Sequence, residues 1–479
     1  MTNPNLFSRL HLPAALLANL EALGYAVMTP IQAEALPLAL KGRDVIAQAK
    51  TGSGKTAAFV IPLLQRLDVR NPGTQALILC PTRELSLQVT QELRKLARFL
   101  GNIKVVSLYG GQEMGLQKTA LRNGSHVLVG TPGRILDHLR RETLSLDAAR
   151  TLVLDEADRM LDMGFLGDIT EIIAVLPAER QTLLFSATFP EDIKVLSERF
   201  QRDPIHVRIE SDPLDSGIAQ KFILCEKEGK PAGLAALLSR LRPRSAIIFC
   251  NTKAAAKEVF QNLSDSGFAA AELHGDLEQR DREQTLMRFR HASVRVLVAT
   301  DVAARGLDIE DLAAVINFEM PHDMETYVHR IGRTGRAGNS GYAITLALPT
   351  EQHKIAAARE FLKLDVPCEP LEWTDSASIE ALKADQATLC IAAGRKDKLR
   401  AGDILGALTG GSDGKAGSGG SGGPDGKGGQ GLDGKAVGKI DVMDYEAYVS
   451  VDRKDVQWAF ARLSENKIKG QKHKVRILG

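Results

Sequence analysis

Cysteine is scarce: five in 479 residues, at Cys80, Cys225, Cys250, Cys368 and Cys390. They are far apart, and no pair has zinc-ligand spacing. A disulfide framework does not suit a chain this long, so the thiols read as reduced and the protein as cytoplasmic. Long apolar runs are missing too. None approaches the roughly 20 residues of a membrane span. The first twenty residues are broken by Arg9 and Asn19 and show no cleavage site of a secretory leader. Charge of one sign is not in excess: 61 Lys and Arg face 59 Asp and Glu. Any basic surface must therefore be local. What remains, 44% hydrophobic and 25% charged, is ordinary globular composition and excludes a wholly disordered or collagen-like chain. The length suits about three domains of roughly 150 residues each.

Short runs of Val, Ile and Leu recur between helical patterns. Val45–Ala47, Ala76–Cys80, Val127–Val129, Thr151–Leu154 and Thr182–Phe185 each end at Gly or polar residues. This is the pattern of a parallel sheet covered on both faces, with ligands at the strand ends. The rhythm restarts with Ala246–Cys250, Val294–Val298, Ala314–Asn317 and Gly341–Leu346. The fold class is α/β: two such domains in tandem, over 1–205 and 218–370, joined by a linker at 206–217. A second linker, 371–386, precedes a smaller domain at 387–479. There the order reads strand, helix, strand, strand, helix, strand, as in an RNA-recognition motif. The loop 410–434 breaks it. Thirteen of its 25 residues are Gly, which suits a flexible connection between first helix and second strand.

Ala49-Lys50-Thr51-Gly52-Ser53-Gly54-Lys55-Thr56 follows a strand and opens a helix. Gly52 and Gly54 let backbone N–H groups close on phosphate oxygens. Lys55 offers a cation to the β and γ phosphates, and the Thr56 hydroxyl can ligate Mg²⁺. Ala49 stands where the general phosphate-loop pattern has Gly. Asp155-Glu156-Ala157-Asp158 follows another strand end. A carboxylate there can hold Mg²⁺ through water and a second can deprotonate attacking water. Asp155 takes the first role and Glu156 the second.

With these residues in place, the chain resembles the DEAD-box RNA helicases, and their motifs run in order from residue 7 to 336. The resemblance implies two RecA-like domains and ATP as cofactor. It makes Tyr25 to Gln32 the adenine-reading segment, with Gln32 on the base edge and Phe7 stacked on the base. Thr51, Gly52, Ser53, Gly54, Lys55 and Thr56 would hold the phosphates. Ser186 and Thr188 would couple hydrolysis to unwinding, with His329 contacting the acidic segment. Asp308 would face the ribose, and Arg333 and Arg336 would reach the γ-phosphate. RNA would be gripped by its backbone, at Pro81, Thr82, Arg83, Gly110, Gly111, Thr131, Gly133 and Arg134. In the second domain Gln279, Arg282, Thr300 and Asp301 would do the same. Taken singly, each of these segments reads as a structural turn sooner than as a contact; their order and completeness carry the reading. Ser86 replaces the Ala usual after Leu85.

The last domain resembles that of the DbpA-like subfamily, through Ile391–Leu408, Val437–Ile440, Lys467–Gly470 and Lys474–Arg476. That likeness implies a partner: a hairpin near the peptidyl-transferase centre of 23S ribosomal RNA, and a role in assembling the large (50S) subunit. The residues agree independently. Arg395, Lys396, Lys398 and Arg400 form one basic cluster; Lys467, Lys469, Lys472, Lys474 and Arg476 form another. Stacking aromatics are sparse: beside Tyr448 stand Val449 and Ser450. Binding through basic edges or loops is therefore expected over stacking on the sheet. Trp458, at helical spacing among apolar residues, reads as core. Two other readings use the same core: a general helicase with an unspecific tail, and an ATP-gated RNA clamp.

Overall fold

The computed structural model describes residues 5–49, 52–209, 218–304, 312–335, 341–371, 379–410 and 431–478. The chain divides into two compact units, the first ending at Asp215 and the second beginning at Ser216.

The first unit is built on a seven-stranded sheet. Its strands are β1 (Val45–Gln48), β2 (Ala76–Leu79), β3 (Val105–Leu108), β4 (Val127–Gly130), β5 (Thr151–Leu154), β6 (Gln181–Ser186) and β7 (Ile205–Arg208), in the order β3-β4-β2-β5-β6-β1-β7. Every pairing is parallel. Alternate side chains feed two cores. Ala76, Ile78, Val127, Val129, Val153 and Phe185 pack on one face; Leu77, Leu79, Leu128, Leu152, Leu154 and Leu184 pack on the other. Burial on both faces explains why these strands read as unbroken apolar runs. β7 corrects the expected linker: its chain still belongs to the sheet through Arg208. Residues 210–217 lie outside the described residues.

The second unit opens with an equivalent sheet: β8 (Ile218–Leu224), β9 (Ala246–Cys250), β10 (Ala270–Leu273), β11 (Val296–Thr300), β12 (Ala314–Asn317), β13 (Gly341–Ala347) and β14 (Cys368–Pro370). Its order, β10-β11-β9-β12-β13-β8-β14, repeats that of the first sheet strand for strand.

Four antiparallel strands form the last sheet: β15 (Gln386–Ile391), β16 (Val437–Val442), β17 (Ala447–Asp452) and β18 (Val475–Leu478), ordered β16-β17-β15-β18. The helices Ala401–Thr409 and Val456–Glu465 complete the βαββαβ order. One face, with Leu389, Ile391, Val449, Val451 and Val475, packs on those helices, and Trp458 lies half-buried against the same core. The other face docks on the preceding domain. Cys390, Tyr448 and Leu478 meet Met287 of the helix Gln279–Arg290. The Ser293 and Thr388 hydroxyls lie 2.7 Å apart, and His291 Nε2 is 3.0 Å from Asp441 Oδ2. Burial works to raise the Asp441 carboxyl. The hydrogen bond to His291 and the charge of Lys439 outweigh it and hold the group below its ordinary range. The approach to this domain is packed as well: Leu382 is buried in the second domain's core, and Arg453 Nε donates to the Ala384 carbonyl at 2.8 Å. The later part of the expected second linker is thus built into the fold. Residues 372–378 lie outside the described residues, as do 411–430 of the Gly-rich loop. At the base of that loop Leu432 N donates to Leu408 O at 2.9 Å.

Candidate nucleotide and RNA sites

The sheet order sorts the motifs of the first unit. β5, β6 and β1 are neighbours, and they end at the acidic segment, at Ser186 and at the phosphate loop. β3, β4 and β2 make up the other half, and they end at Gly110, at Thr131 and at Pro81. One edge of one sheet therefore gathers the expected nucleotide motifs on one half and the expected RNA motifs on the other.

On the nucleotide half, Gly54 ends the loop in a left-handed conformation, φ 91°, and the helix Lys55–Arg66 begins at the next residue. A side chain on Gly54 would stand 2.5 Å from Gln32 Nε2. The buried Gln32 is tied at both ends: Nε2 donates to Gly54 O at 3.0 Å, and Oε1 accepts from Thr29 N at 2.9 Å. It braces the loop as well as facing the site. Lys55 Nζ donates to the Ala49 carbonyl at 2.8 Å, a bond that phosphate oxygens would replace. The Ser53 and Ser186 hydroxyls are buried without a hydrogen-bond partner. A buried polar group left unpaired costs about 1–3 kcal/mol, so a site that fills these valences gains by doing so. Lys50 and Thr51 lie outside the described residues.

The acidic segment is buried and internally paired. Burial, with the neighbouring Glu156 charge, pushes the Asp155 carboxyl up to about 7 against the pull of Lys55. Glu156 has a left-handed backbone, φ 52°, and its Oε2 accepts from Arg159 Nη1 at 2.8 Å. Asp158 Oδ2 accepts from Ala187 N at 3.1 Å and from Thr188 N and Oγ1 at 2.9 and 3.0 Å. The β5 and β6 ends are thereby locked together through Ala187 and Thr188, and the Ser186 hydroxyl takes no part in that lock. Phe7 departs from its expected role: it is 2% exposed and packs edge-on against Tyr25 at 5.7 Å. In this arrangement it belongs to the core and offers no face to a base.

On the nucleic-acid half, Thr82 caps the helix Arg83–Leu96 by accepting from Leu85 N at 3.2 Å. Ser86 is buried and donates to Thr82 O at 2.9 Å, so the hydroxyl at this position is satisfied. The Arg83 guanidinium covers Gly110, where an added Cβ would lie 3.0 Å from Nη2. Gly111 takes φ 86°. Thr131 opens the helix Pro132–Arg140, which carries Gly133 and Arg134. One residue that sequence reasoning missed organises this half. The buried Gln117 donates to Tyr109 O and Gln112 Oε1, both at 2.9 Å, and its Oε1 accepts from Arg134 Nη1 at 3.4 Å. It joins the glycine loop to Arg134. A lone Gln in an amphipathic helix carries no signal of this.

In the second unit Gln279 opens its helix, and Arg282 Nη2 donates to Ala303 O at 3.4 Å. Thr300 ends β11. The Asp301 carboxylate is occupied by Arg330 through Nε and Nη2, both at 2.6 Å. The Asp301 carboxylate thus holds Arg330 in place. Arg333 is buried, and His329 lies on the helix Met324–Ile331. Asp308 and Arg336 lie outside the described residues.

The two basic clusters of the last domain meet. Lys469 Nζ donates to Lys398 O at 2.8 Å, and Arg395, Lys396, Lys398, Arg400, Lys467, Lys469, Lys472 and Lys474 are all exposed. Arg476 departs from the expected cluster. It lies on the docked face of the sheet and donates to Glu446 Oε1 at 3.0 Å. Tyr448 is buried there, its hydroxyl donating to Glu446 at 2.6 Å.

Two RecA-like sheets of one topology, the first with a phosphate loop and an acidic strand end, define an ATP-driven motor of nucleic acids. Residues 29–196 match the DEAD/DEAH box helicase family, 229–338 the helicase conserved C-terminal domain and 427–477 the DbpA RNA binding domain. The chain is 51% identical over 476 residues to the ATP-dependent RNA helicase DbpA of Escherichia coli K12, covering 98% of this chain and 99% of that one. It is 44% identical over 385 residues to the DEAD-box ATP-dependent RNA helicase CshA of Bacillus subtilis 168, covering 79% and 78%. The solved structure of Saccharomyces cerevisiae Dbp5 bound to RNA and ADP BeF3 matches with a TM-score of 0.70 and 31% identity, over 78% of this chain and 98% of that one. The chain belongs to the DEAD-box family: it is an ATP-dependent RNA helicase with a C-terminal RNA-binding domain of the DbpA type.

Proposed function

We propose that this helicase is directed by its C-terminal domain to 23S ribosomal RNA, at the hairpin of the peptidyl-transferase centre, and remodels short duplexes there during assembly of the large (50S) subunit in the cytoplasm. The observation that carries the reading is the meeting of the two basic loops on the last domain. The sheet face that would stack bases is already spent on the second RecA-like domain. The exposed loops around Lys398 and Lys467 are left as the surface for phosphates.

In the core, ATP and RNA together would close the two RecA-like domains. The phosphate loop and Lys55 would hold the β and γ phosphates. Asp155 fits Mg²⁺: a buried carboxyl pushed up beside another acid gains its missing counter-charge from a divalent cation, with the Thr56 hydroxyl as a second ligand. The ion would neutralise charge on the phosphates. Glu156 would take the proton of the attacking water. Arg333 and Arg336 would complete the site from the second domain, a contribution of roughly 10³ to 10⁵ in rate for such fingers. Arg83, Arg134 and Arg282 would grip the RNA backbone, and closure would bend one strand out of the duplex.

The test is strand release from a short duplex, joined or not joined to the 23S hairpin. The reading expects the joined duplex to be opened at least about tenfold faster at subsaturating protein, as tethering raises effective concentration. Equal rates on both would defeat the targeting.

A further inference from the structure

We propose that Arg288 and Arg453 form a phosphate-binding site at the seam between the second RecA-like domain and the C-terminal domain, and that it holds a phosphate group of the RNA backbone. Arg288 lies on the helix Gln279–Arg290. Met287 beside it packs on the C-terminal sheet, and His291 one turn on is paired with Asp441. Arg288 Nε is buried and has no hydrogen-bond partner. Across the seam, Arg453 follows the end of β17. Its Nε donates to Ala384 O at 2.8 Å and its Nη2 to Gln386 O at 3.3 Å. These bonds fix the guanidinium and leave its Nη1 to a ligand. Among the described residues neither arginine has a carboxylate partner. Asp452, next to Arg453 in the chain, accepts from Gln386 Nε2 at 2.6 Å instead.

Burial, and then the charge of Arg453, pull the Arg288 guanidinium below its ordinary value. Two neighbouring cations without a counter-charge, one with a buried donor to spare, are costly alone and are relieved by an anion. The planar N–H forks of arginine match phosphate oxygens. The seam is separate from the exposed basic loops. Arg453 stands at the Gln386 end of β15, where Gln386 pairs with Asp452. The loops stand at the other end, where Ala392 N donates to Lys474 O at 2.9 Å. The six residues of β15 separate the two by roughly 17 Å. RNA is the favoured source of the phosphate, because the helix that carries Arg288 opens with Gln279 and Arg282, expected RNA contacts of the core.

Anisotropy titrations of the full chain over a range of salt, with the 23S fragment and with an unrelated structured RNA, compare the wild type with Arg288→Met and Arg453→Gln. Each variant is expected to bind both RNAs about five- to tenfold more weakly near 0.1 M salt, with the slope of log affinity against log salt lower by about one. Phosphate contacts carry no base sequence, so the loss is the same for both RNAs whatever the tail prefers. Lys454→Gln removes an equal charge from an exposed neighbour and should leave the slope unchanged. Methionine keeps the apolar stem of Arg288 and removes its buried charge, so that variant should melt about 2–4 °C higher in the absence of RNA. Arg453 is exposed, and its variant decides the matter if Arg288→Met does not fold. Affinity and slope equal to the wild type would overturn the proposal, and so would an equal loss in Lys454→Gln. Free phosphate is the other source. Phosphate ions, set against chloride at equal ionic strength, would then raise the melting temperature of the wild type more than that of Arg288→Met, with RNA binding the same in both. That result would assign the site to the free anion and overturn its part in holding RNA. The phosphate loop is common to both proteins, so the difference between them reports the seam.

Discussion

Glu156→Gln is expected to lower RNA-stimulated ATP turnover by roughly 10² to 10⁴-fold, the range for loss of a positioned general base. The amide keeps the shape of the side chain and can still accept from Arg159 Nη1, now 2.8 Å from the carboxylate. It cannot take a proton from water. The exchange weakens a buried ion pair to a neutral hydrogen bond, so some stability is lost as well. A melting curve run beside the assay separates the two effects. Lys55→Ala should match the loss of turnover by a different route, through weaker ATP binding. In both variants the hairpin affinity of the C-terminal domain should stay as it is. Steady-state hydrolysis and hairpin titration check this. A parallel fall in hairpin affinity would sink the division of labour between core and tail.

Reversing charge at Lys398 and Lys467 together should weaken binding of the 23S hairpin by roughly 10- to 100-fold near 0.1 M salt. The slope of log affinity against log salt should fall by about one for each phosphate that is no longer neutralised. Both side chains are exposed, so the fold should lose less than about 0.5 kcal/mol per site. Lys469 is left intact because its ammonium holds the two loops together. Hydrolysis at saturating unrelated RNA should be unchanged. Hairpin affinity equal to that of the wild type would move recognition off these loops.

The central strands were legible because burial on both faces leaves unbroken apolar runs. β1, β2, β4, β5, β6, β9, β11, β12 and β13 fall on them. What escaped lies at or beside the sheet edges. β3, β7, β10 and β14 are the edge strands, and β8 lies next to one. An edge strand is half wet, so polar residues interrupt its pattern: His206 and Arg208 in β7, Glu272 in β10. Pro370 in β14 reads as a break, yet an edge tolerates it. The order of elements in the last domain was legible because short strands and helical spacing follow one another between turn residues. Its docking was not. Thr388, Asp441 and Ser450 read as a polar, solvated face until a partner covers them.

The site divides in the same way. Motifs that contact ligand carry rare residue combinations at strand ends, and these stand out in one sequence. Residues that hold the motifs do not, as Gln117, Arg159 and Arg330 show. Phe7 and Arg476 show the opposite case. Their residue types suited the expected contacts, but packing buries the first and turns the second toward the neighbouring domain.

The most direct test is steady-state ATP hydrolysis by the full chain in three conditions: no RNA, an unrelated structured RNA, and a 23S fragment containing the peptidyl-transferase hairpin. The account predicts strong stimulation by the fragment at concentrations where the unrelated RNA does little. Equal stimulation by both RNAs at equal concentration would contradict it, leaving a helicase whose tail anchors RNA without choosing it.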